Sequence, residues 1–120
     1  LLAVSQYVDK TGDSAFVLSN IDRLAKVFDG ILVTRSTYWL TQDLLGKNPE
    51  YTMPDIDDQS VAWSGMNEFA RVLGSLSGNQ KAVALKERVS NYAAILEAAI
   101  ERHYVNPSTG LYYWRWQTEV

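Results

Sequence analysis

Three aspartates in the acidic segment at residues 54–60 are the side chains best suited to chemistry. Asp55, Asp57 and Asp58 fall within four positions of one another, so their negative charges repel. If the segment is partly buried, this repulsion is expected to raise the pKa of at least one carboxyl. A carboxylic acid that stays protonated near neutral pH is what general acid catalysis on a glycosidic oxygen requires. We therefore predict Asp57 and Asp58 as catalytic candidates, with Asp55 and Gln59 binding substrate hydroxyls.

The acidic segment also suits a purely structural role. Asp58 or Ser60 would serve as the N-cap of the helix that follows, and the remaining aspartates would be favoured at the positive end of its dipole. A calcium site is not supported, because the segment lacks the glycine and glutamate of a calcium-binding loop. The structural and catalytic interpretations both stay open.

A second segment, residues 105–118, combines turn residues with aromatic rings. Asn106 to Gly110 is strong turn chemistry, and rings then alternate with other side chains from residue 112 to 116. In an extended segment, such alternation places the rings on one side and Arg115 on the other. Rings suit the apolar face of a sugar, and polar groups suit its hydroxyls. The predicted sugar-binding residues are Trp63, Tyr112, Trp114, Arg115 and Trp116. Packing of this segment onto the next helices is the alternative.

The other residue types in the chain exclude several classes of site. His103 is the single histidine and there is no cysteine, so neither a nucleophilic triad nor a typical zinc site is predicted. No glycine-rich phosphate loop occurs, and we predict no cofactor. The net charge of −3, with scattered basic residues, argues against nucleic acid. No run of about 18 apolar residues is present, so no membrane span is predicted, and the compartment (cytoplasmic or exported) stays open.

Three segments show the apolar periodicity of helices. The first carries an apolar stripe from Val17 to Ile31, is capped by Asp13, and is expected to be interrupted at Gly30 before continuing to residue 45. The middle one, residues 59–76, is apolar on most sides and is predicted to be an inner helix. The third is capped by Asn79, and its predicted stripe is Ala82, Leu85, Val89, Tyr92, Leu96, Ala99 and His103.

The same order of elements repeats after 66 residues. A helix ends, a turn with glycine follows (Gly12 or Gly78, each expected to be left-handed), and a capped amphipathic helix begins. Successive connections in a row of antiparallel helices lie at opposite ends. The short turns at 9–13 and 75–79 are therefore expected at one end, and the long connections at 46–58 and 105–118 at the other, where binding residues usually collect.

Three pieces of the sequence resemble the six-hairpin glycosidases, the superfamily of the glucoamylase, trehalase and glycogen-debranching types. They are residues 7–16, the segment from Ala62 to Gly74, and the run NPSTGLYY at 106–113. The resemblance implies an all-α fold of antiparallel helical hairpins, part of an (alpha/alpha) toroid with its active site at the loop-rich end. Residues 1–120 would be a single partial domain of about two hairpins, whose first helix begins upstream. The remainder of the same chain or another subunit would then cover the inner helix.

The resulting prediction is part of a carbohydrate-active enzyme, a glycoside hydrolase that uses carboxylates as general acid and base on an oligo- or polysaccharide. A second hypothesis is a non-catalytic helical-repeat module that binds protein or glycan. A third is another toroid enzyme, such as a sugar epimerase or polysaccharide lyase. The third needs a histidine or tyrosine base, and the position of His103 on an apolar stripe argues against it in this segment.

Overall fold

The computed structural model describes residues 1–35 and 56–113 of the chain. Within those ranges, 79% of residues are helical and none belongs to a strand, so the all-α prediction is confirmed. No helix in the described ranges is both long and apolar enough to cross a membrane. The helices are α1 (Leu2–Thr11), α2 (Ser14–Ser19), α3 (Ile21–Thr34), α4 (Ile56–Gly74) and α5 (Gln80–Tyr104).

The first short turn joins α1 to α2 as the residue types predict. Gly12 adopts the left-handed conformation, with φ at 70°, and its N–H donates to the carbonyl of Val8 at 2.7 Å. Asp13 then caps α2, because its carboxylate accepts the N–H of Phe16 at 3.2 Å. These two contacts end one helix and start the next within three residues.

The first amphipathic segment is interrupted at Asn20, which separates α2 from α3. The side-chain amide of Asn20 donates to the carbonyl of Phe16 at 2.9 Å, competing with the backbone for that acceptor. The predicted interruption at Gly30 is wrong, since Gly30 lies within α3. The helix does not run on unbroken as predicted, because α3 ends at Thr34 and Arg35 is extended; the rest of the predicted continuation, residues 36–45, lies outside the described residues.

The second short turn, residues 75–79, uses a different backbone from the first. Gly78 does not have a positive φ, so the expected left-handed glycine is wrong there. The chain instead leaves α4 through tightened turns, in which the N–H groups of Ser75 and Leu76 donate to the carbonyls of Val72 and Leu73. Asn79 caps α5 as predicted, accepting the N–H of Ala82 at 3.0 Å.

The apolar stripes of the three segments form one core. The predicted residues of α5 from Ala82 to Ala99 are all buried, while His103 is partly buried. Along α4, the buried residues are Gln59, Gly65, Met66, Phe69, Ala70, Val72 and Leu73. Val61 and Trp63 remain exposed, so the predicted inner helix is covered on most but not all of its circumference.

Helices α1 and α4 run in the same direction. Gly65 lies against the start of α1, where a Cβ on it would be 3.4 Å from the Cβ of Leu2. Farther along both helices, Arg71 binds Asp9. Because later residues of α1 meet later residues of α4, the two helices are parallel.

Helices α3 and α5 are parallel for the same reason. Lys81 binds Asp22 and Arg88 binds Asp29, with 59 positions between the partners in both pairs. The Arg88 guanidinium also lies 5.3 Å from the centre of the Phe28 ring, which packs edge-on against Tyr92. We call residues 1–34 (α1 to α3) the first unit and residues 56–104 (α4 and α5) the second unit.

Candidate functional site

Asp57 and Asp58 lie in the first turn of α4, which begins at Ile56. Both are exposed, so the partial burial on which their catalytic prediction depended is not found at either residue. Their position near the positive end of the helix dipole is favourable for carboxylates. The prediction that Asp58 or Ser60 is the N-cap is wrong, because both residues lie inside the helix.

Gln59, the next residue, is in a different environment from the two aspartates. It is 0% exposed, and its side chain is among the largest that are fully buried. A sugar bound at the exposed surface of Asp57 and Asp58 would not reach this amide. The burial therefore does not fit the predicted direct contact between Gln59 and substrate hydroxyls.

Trp63 is the predicted ring that the structure leaves accessible on α4. It is 37% exposed, and its backbone carbonyl accepts the side-chain amide of Asn67 at 2.9 Å. A half-exposed indole offers one face for stacking while its other face contributes to packing. Four other predicted site residues, Asp55, Trp114, Arg115 and Trp116, lie outside the described residues.

The described part of the second predicted loop is a compact turn immediately after α5. The N–H of Gly110 donates to the carbonyl of Asn106 at 2.8 Å, and the N–H of Asn106 donates to the carbonyl of Leu111 at 2.8 Å. Gly110 has φ of 72°, and the side chain of Asn106 accepts the N–H of Ser108 at 2.9 Å. The turn reverses the chain, so Tyr112 lies opposite Val105 in an isolated antiparallel bridge.

This reversal places Tyr112 beside the last turns of α5. Its hydroxyl donates to the carboxylate of Glu101 at 2.6 Å, and the residue is 57% exposed. The pKa of Tyr112 is raised by this hydrogen bond and by the charge of Glu101, then by desolvation and the charge of Glu97. Tyr112, Glu97 and Glu101 therefore form an acidic group with an accessible ring.

Neither glutamate of this group was predicted as a site residue from the sequence. They lie on the polar side of α5, where charged residues are expected and carry no distinctive signal. The available signal was indirect: a tight turn at 106–110 folds residue 112 back toward the end of the preceding helix. Only the pairing of Val105 with Tyr112 selects Glu101 as the partner.

His103 fits the structural role expected for it. It is partly buried near the end of α5, and its pKa is lowered by burial and then by the charge of Arg102. The imidazole is therefore mainly neutral at pH 7, as suits a histidine at the edge of a core.

A metal centre is not found in the described part of the chain, where no group of three or more histidine or acidic side chains is arranged to hold an ion. The comparisons with known proteins add no relative: no protein family, curated protein or solved structure matches the chain.

Proposed function

We propose that this chain contributes two antiparallel helical hairpins to a larger (alpha/alpha) toroid that acts on carbohydrate, as a glycoside hydrolase. The parallel contacts of α1 with α4 and of α3 with α5 support the repeat. When two hairpins stand side by side, the first helix of one lies parallel to the first helix of the other, and their last helices are parallel in the same way. Residues 1–120 are then a single partial domain, with the rest of the toroid supplied by further chain or another subunit.

The observation that carries the proposal is the position of the exposed acids relative to the aromatic turn. Gly74 lies against Lys86, with 3.2 Å between the Lys86 ammonium and a Cβ built on the glycine. When two helices leave a short turn and pack antiparallel, residues equally far from the turn lie side by side. The first turn of α4, with Asp57 and Asp58, is therefore at the same end as Tyr112 and the last turns of α5.

In the proposed site, one of the two aspartates donates a proton to the glycosidic oxygen while Trp63 and Tyr112 stack against sugar rings. Oxocarbenium-like chemistry also needs a second carboxylate across the bond, and the separation of the two carboxylates determines inversion or retention. In a toroid, that second acid comes from another hairpin. The rings bind substrate and the carboxylates act on it, so the two groups affect different kinetic constants.

A second candidate, a non-catalytic glycan-binding module, is favoured by the exposure of Asp57 and Asp58. Desolvation is the usual means of keeping a carboxylic acid protonated near neutral pH, and an exposed residue lacks it. Exposed acids beside exposed rings are sufficient to bind sugar hydroxyls without cleaving a bond. This candidate predicts glycan binding without turnover.

The two candidates are separated by substituting Asp57→Asn and Asp58→Asn in the protein that carries this chain and assaying a panel of glycosides. Loss of general acid catalysis is expected to lower kcat by about 10²–10⁴-fold in one variant. Glu87→Gln, a matched change at an exposed acid of α5, should leave kcat unchanged. Unchanged turnover in both aspartate variants would exclude them from the catalytic role.

The binding candidate is tested by titrating oligosaccharides into the wild type and the Trp63→Ala and Tyr112→Ala variants by calorimetry. Loss of a stacking ring is expected to weaken binding or raise KM with little change in kcat. Measurable binding with no turnover on any glycoside would favour the non-catalytic module. Absence of both binding and turnover would exclude the two candidates together.

A further inference from the structure

The ion pairs between the two units all have the same polarity. Each carries its acid on the first unit and its base on the second; the pairs are Asp9 with Arg71, Asp22 with Lys81, and Asp29 with Arg88. Exposed pairs of this kind contribute little energy, but they select orientation and register. The acids on one side of the first unit therefore match the bases on the facing side of the second unit.

The second unit has acids on the side that faces away from the first. Lys81 and Arg88 mark the side of α5 that contacts α3, and at 100° per residue Glu97 and Glu101 lie about 160–220° round the helix from them. Neither glutamate has an ion-pair partner among residues 1–35 and 56–113. Tyr112, which is exposed, donates its hydroxyl to Glu101, and the exposed Val83 lies on the same side of α5 nearer its start. We call Val83, Glu97, Glu101 and Tyr112 the acidic face.

The first unit has bases on the side that faces away from the second. Asp22 and Asp29 mark the side of α3 that contacts α5, and Arg23 and Val27 lie about 100–160° round the helix from them. On α1, Tyr7 and Lys10 are likewise turned away from Asp9, by about 160° and 100°.

Two aromatic rings complete that side of the first unit. Tyr7 packs edge-on against Phe16, with ring centres 5.2 Å apart, and both rings stay about two-fifths exposed. Lys10 and Arg23 have no ion-pair partner within the described ranges. The basic face therefore consists of Tyr7, Lys10, Phe16, Arg23 and Val27.

We propose that a second copy of this chain docks its basic face on the acidic face of the first, head to tail. The contact repeats the acid-to-base polarity that already joins the two units, with helices running parallel across it. Burial of the exposed rings and valines provides the attraction, while the charges set the orientation. Because the two faces differ, the association is heterologous and continues into a ring or a chain of copies. It does not rest on the proposed function, and it competes with it at one residue, because a Tyr112 ring buried between copies cannot also stack on a sugar.

Sedimentation velocity over a range of concentrations tests this proposal on the native chain. Association that grows with concentration and weakens as salt approaches about 1 M, where charges are screened beyond about 3 Å, is expected. A chain that stays monomeric at every concentration and salt would overturn the proposal.

Charge reversal distinguishes association through these two faces from non-specific association. One double variant, Glu97→Lys with Glu101→Lys, makes the acidic face basic; the other, Lys10→Glu with Arg23→Glu, makes the basic face acidic. Each alone is expected to weaken self-association by at least about tenfold. Mixing the two variants restores association, because every contact again joins an acid to a base.

Two outward-facing single reversals, Lys26→Glu and Glu87→Lys, serve as controls, and each changes the net charge in the same direction as one double variant but by half as much. Both should associate like the native chain, and circular dichroism establishes that all variants are folded. Double variants that associate as strongly as the native chain, or controls that lose association equally, would overturn the assignment to these faces.

Discussion

Arg71 on α4 donates through one nitrogen, Nη2, to both carboxylate oxygens of Asp9 on α1, at 2.9 and 2.7 Å, although 62 positions separate the two residues. Arg71 also donates from Nε to Glu68 at 2.9 Å, one turn earlier on its own helix. The same guanidinium thus joins an intrahelical pair to a contact between the two units. Together with the Leu2 and Gly65 contact, it determines the register of α1 on α4.

The pair of Asp9 and Arg71 is expected to contribute orientation more than stability. Both side chains are about half exposed, and solvent screens such pairs strongly. In a double-mutant cycle with Asp9→Ala and Arg71→Ala, the coupling measured by urea unfolding should be small and should decrease further in high salt. Strong, salt-independent coupling would contradict this interpretation.

Gly65 is predicted to be intolerant of a large side chain. Its hypothetical Cβ already meets the backbone nitrogen and the Cβ of Leu2 at 3.4 Å, so further atoms must displace α1. Gly65→Leu is expected to lower the free energy of unfolding by about 1–3 kcal/mol through overpacking. The measurement is chemical denaturation.

Gly30→Leu is the matched control for that substitution. Gly30 also lies in a helix, but no atom of residues 1–35 or 56–113 approaches within 4 Å of its hypothetical Cβ. Replacing a helical glycine there should stabilise the protein by up to about 1 kcal/mol. Equal effects at Gly30 and Gly65 would show that close approach of α1 does not limit the residue at 65.

The two helix caps should differ in how much their removal costs. Asn79→Ala removes one hydrogen bond to the N–H of Ala82 and is expected to cost about 1 kcal/mol. Asp13→Ala removes a cap and also the acceptor of the Tyr7 hydroxyl, which lies 2.7 Å from the Asp13 carboxylate. Thermal unfolding should therefore show the larger loss for Asp13→Ala. The reverse order would indicate that the Tyr7 contact adds nothing.

Stability is predicted to fall at high pH because of Tyr92. Burial raises the pKa of Tyr92 from 10.0 to about 12, and the charge of Arg35 opposes this shift. The neutral phenol is favoured in the folded state, so the contribution is complete below pH 10 and is lost as pH rises toward 12. The expected loss is about 2–3 kcal/mol, from about 1.4 kcal/mol per pKa unit.

Tyr92→Phe isolates this contribution from those of Tyr7 and Tyr112, whose pKa values are also raised. Urea unfolding at pH 9 and pH 11 should show a smaller decrease for the variant than for the wild type. An identical decrease in both proteins would rule out ionisation of Tyr92 as the cause.

The sequence predicted helix ends correctly where they depend on contacts between residues a few positions apart. Asp13 and Asn79 cap helices because a carboxylate or amide oxygen reaches an N–H three residues ahead, which needs no distant partner. The interruption at Asn20 was missed, since its side chain competes for a helical carbonyl only in one rotamer. The predicted interruption at Gly30 was wrong because an exposed glycine inside a helix lowers helix stability only modestly and does not require a kink.

The candidate site was less predictable than the helices. The segment containing Asp57 and Asp58 was recognised as the start of a helix, but exposure depends on which neighbours pack there. Gln59 shows the limit most clearly, because a polar residue beside two exposed acids is fully buried. Its environment is set by helix phase and by neighbouring elements together.

By itself, the sequence determined the all-α class, the caps and the apolar stripes, because each depends on residues within a few turns of one another. Tertiary structure alone decided the parallel register of the two units and the pairing of Asp9 with Arg71. It also decided the contact of Tyr112 with Glu101. Those relationships join residues across helices or across a chain reversal, and their energies depend on distances that spacing in the sequence does not specify.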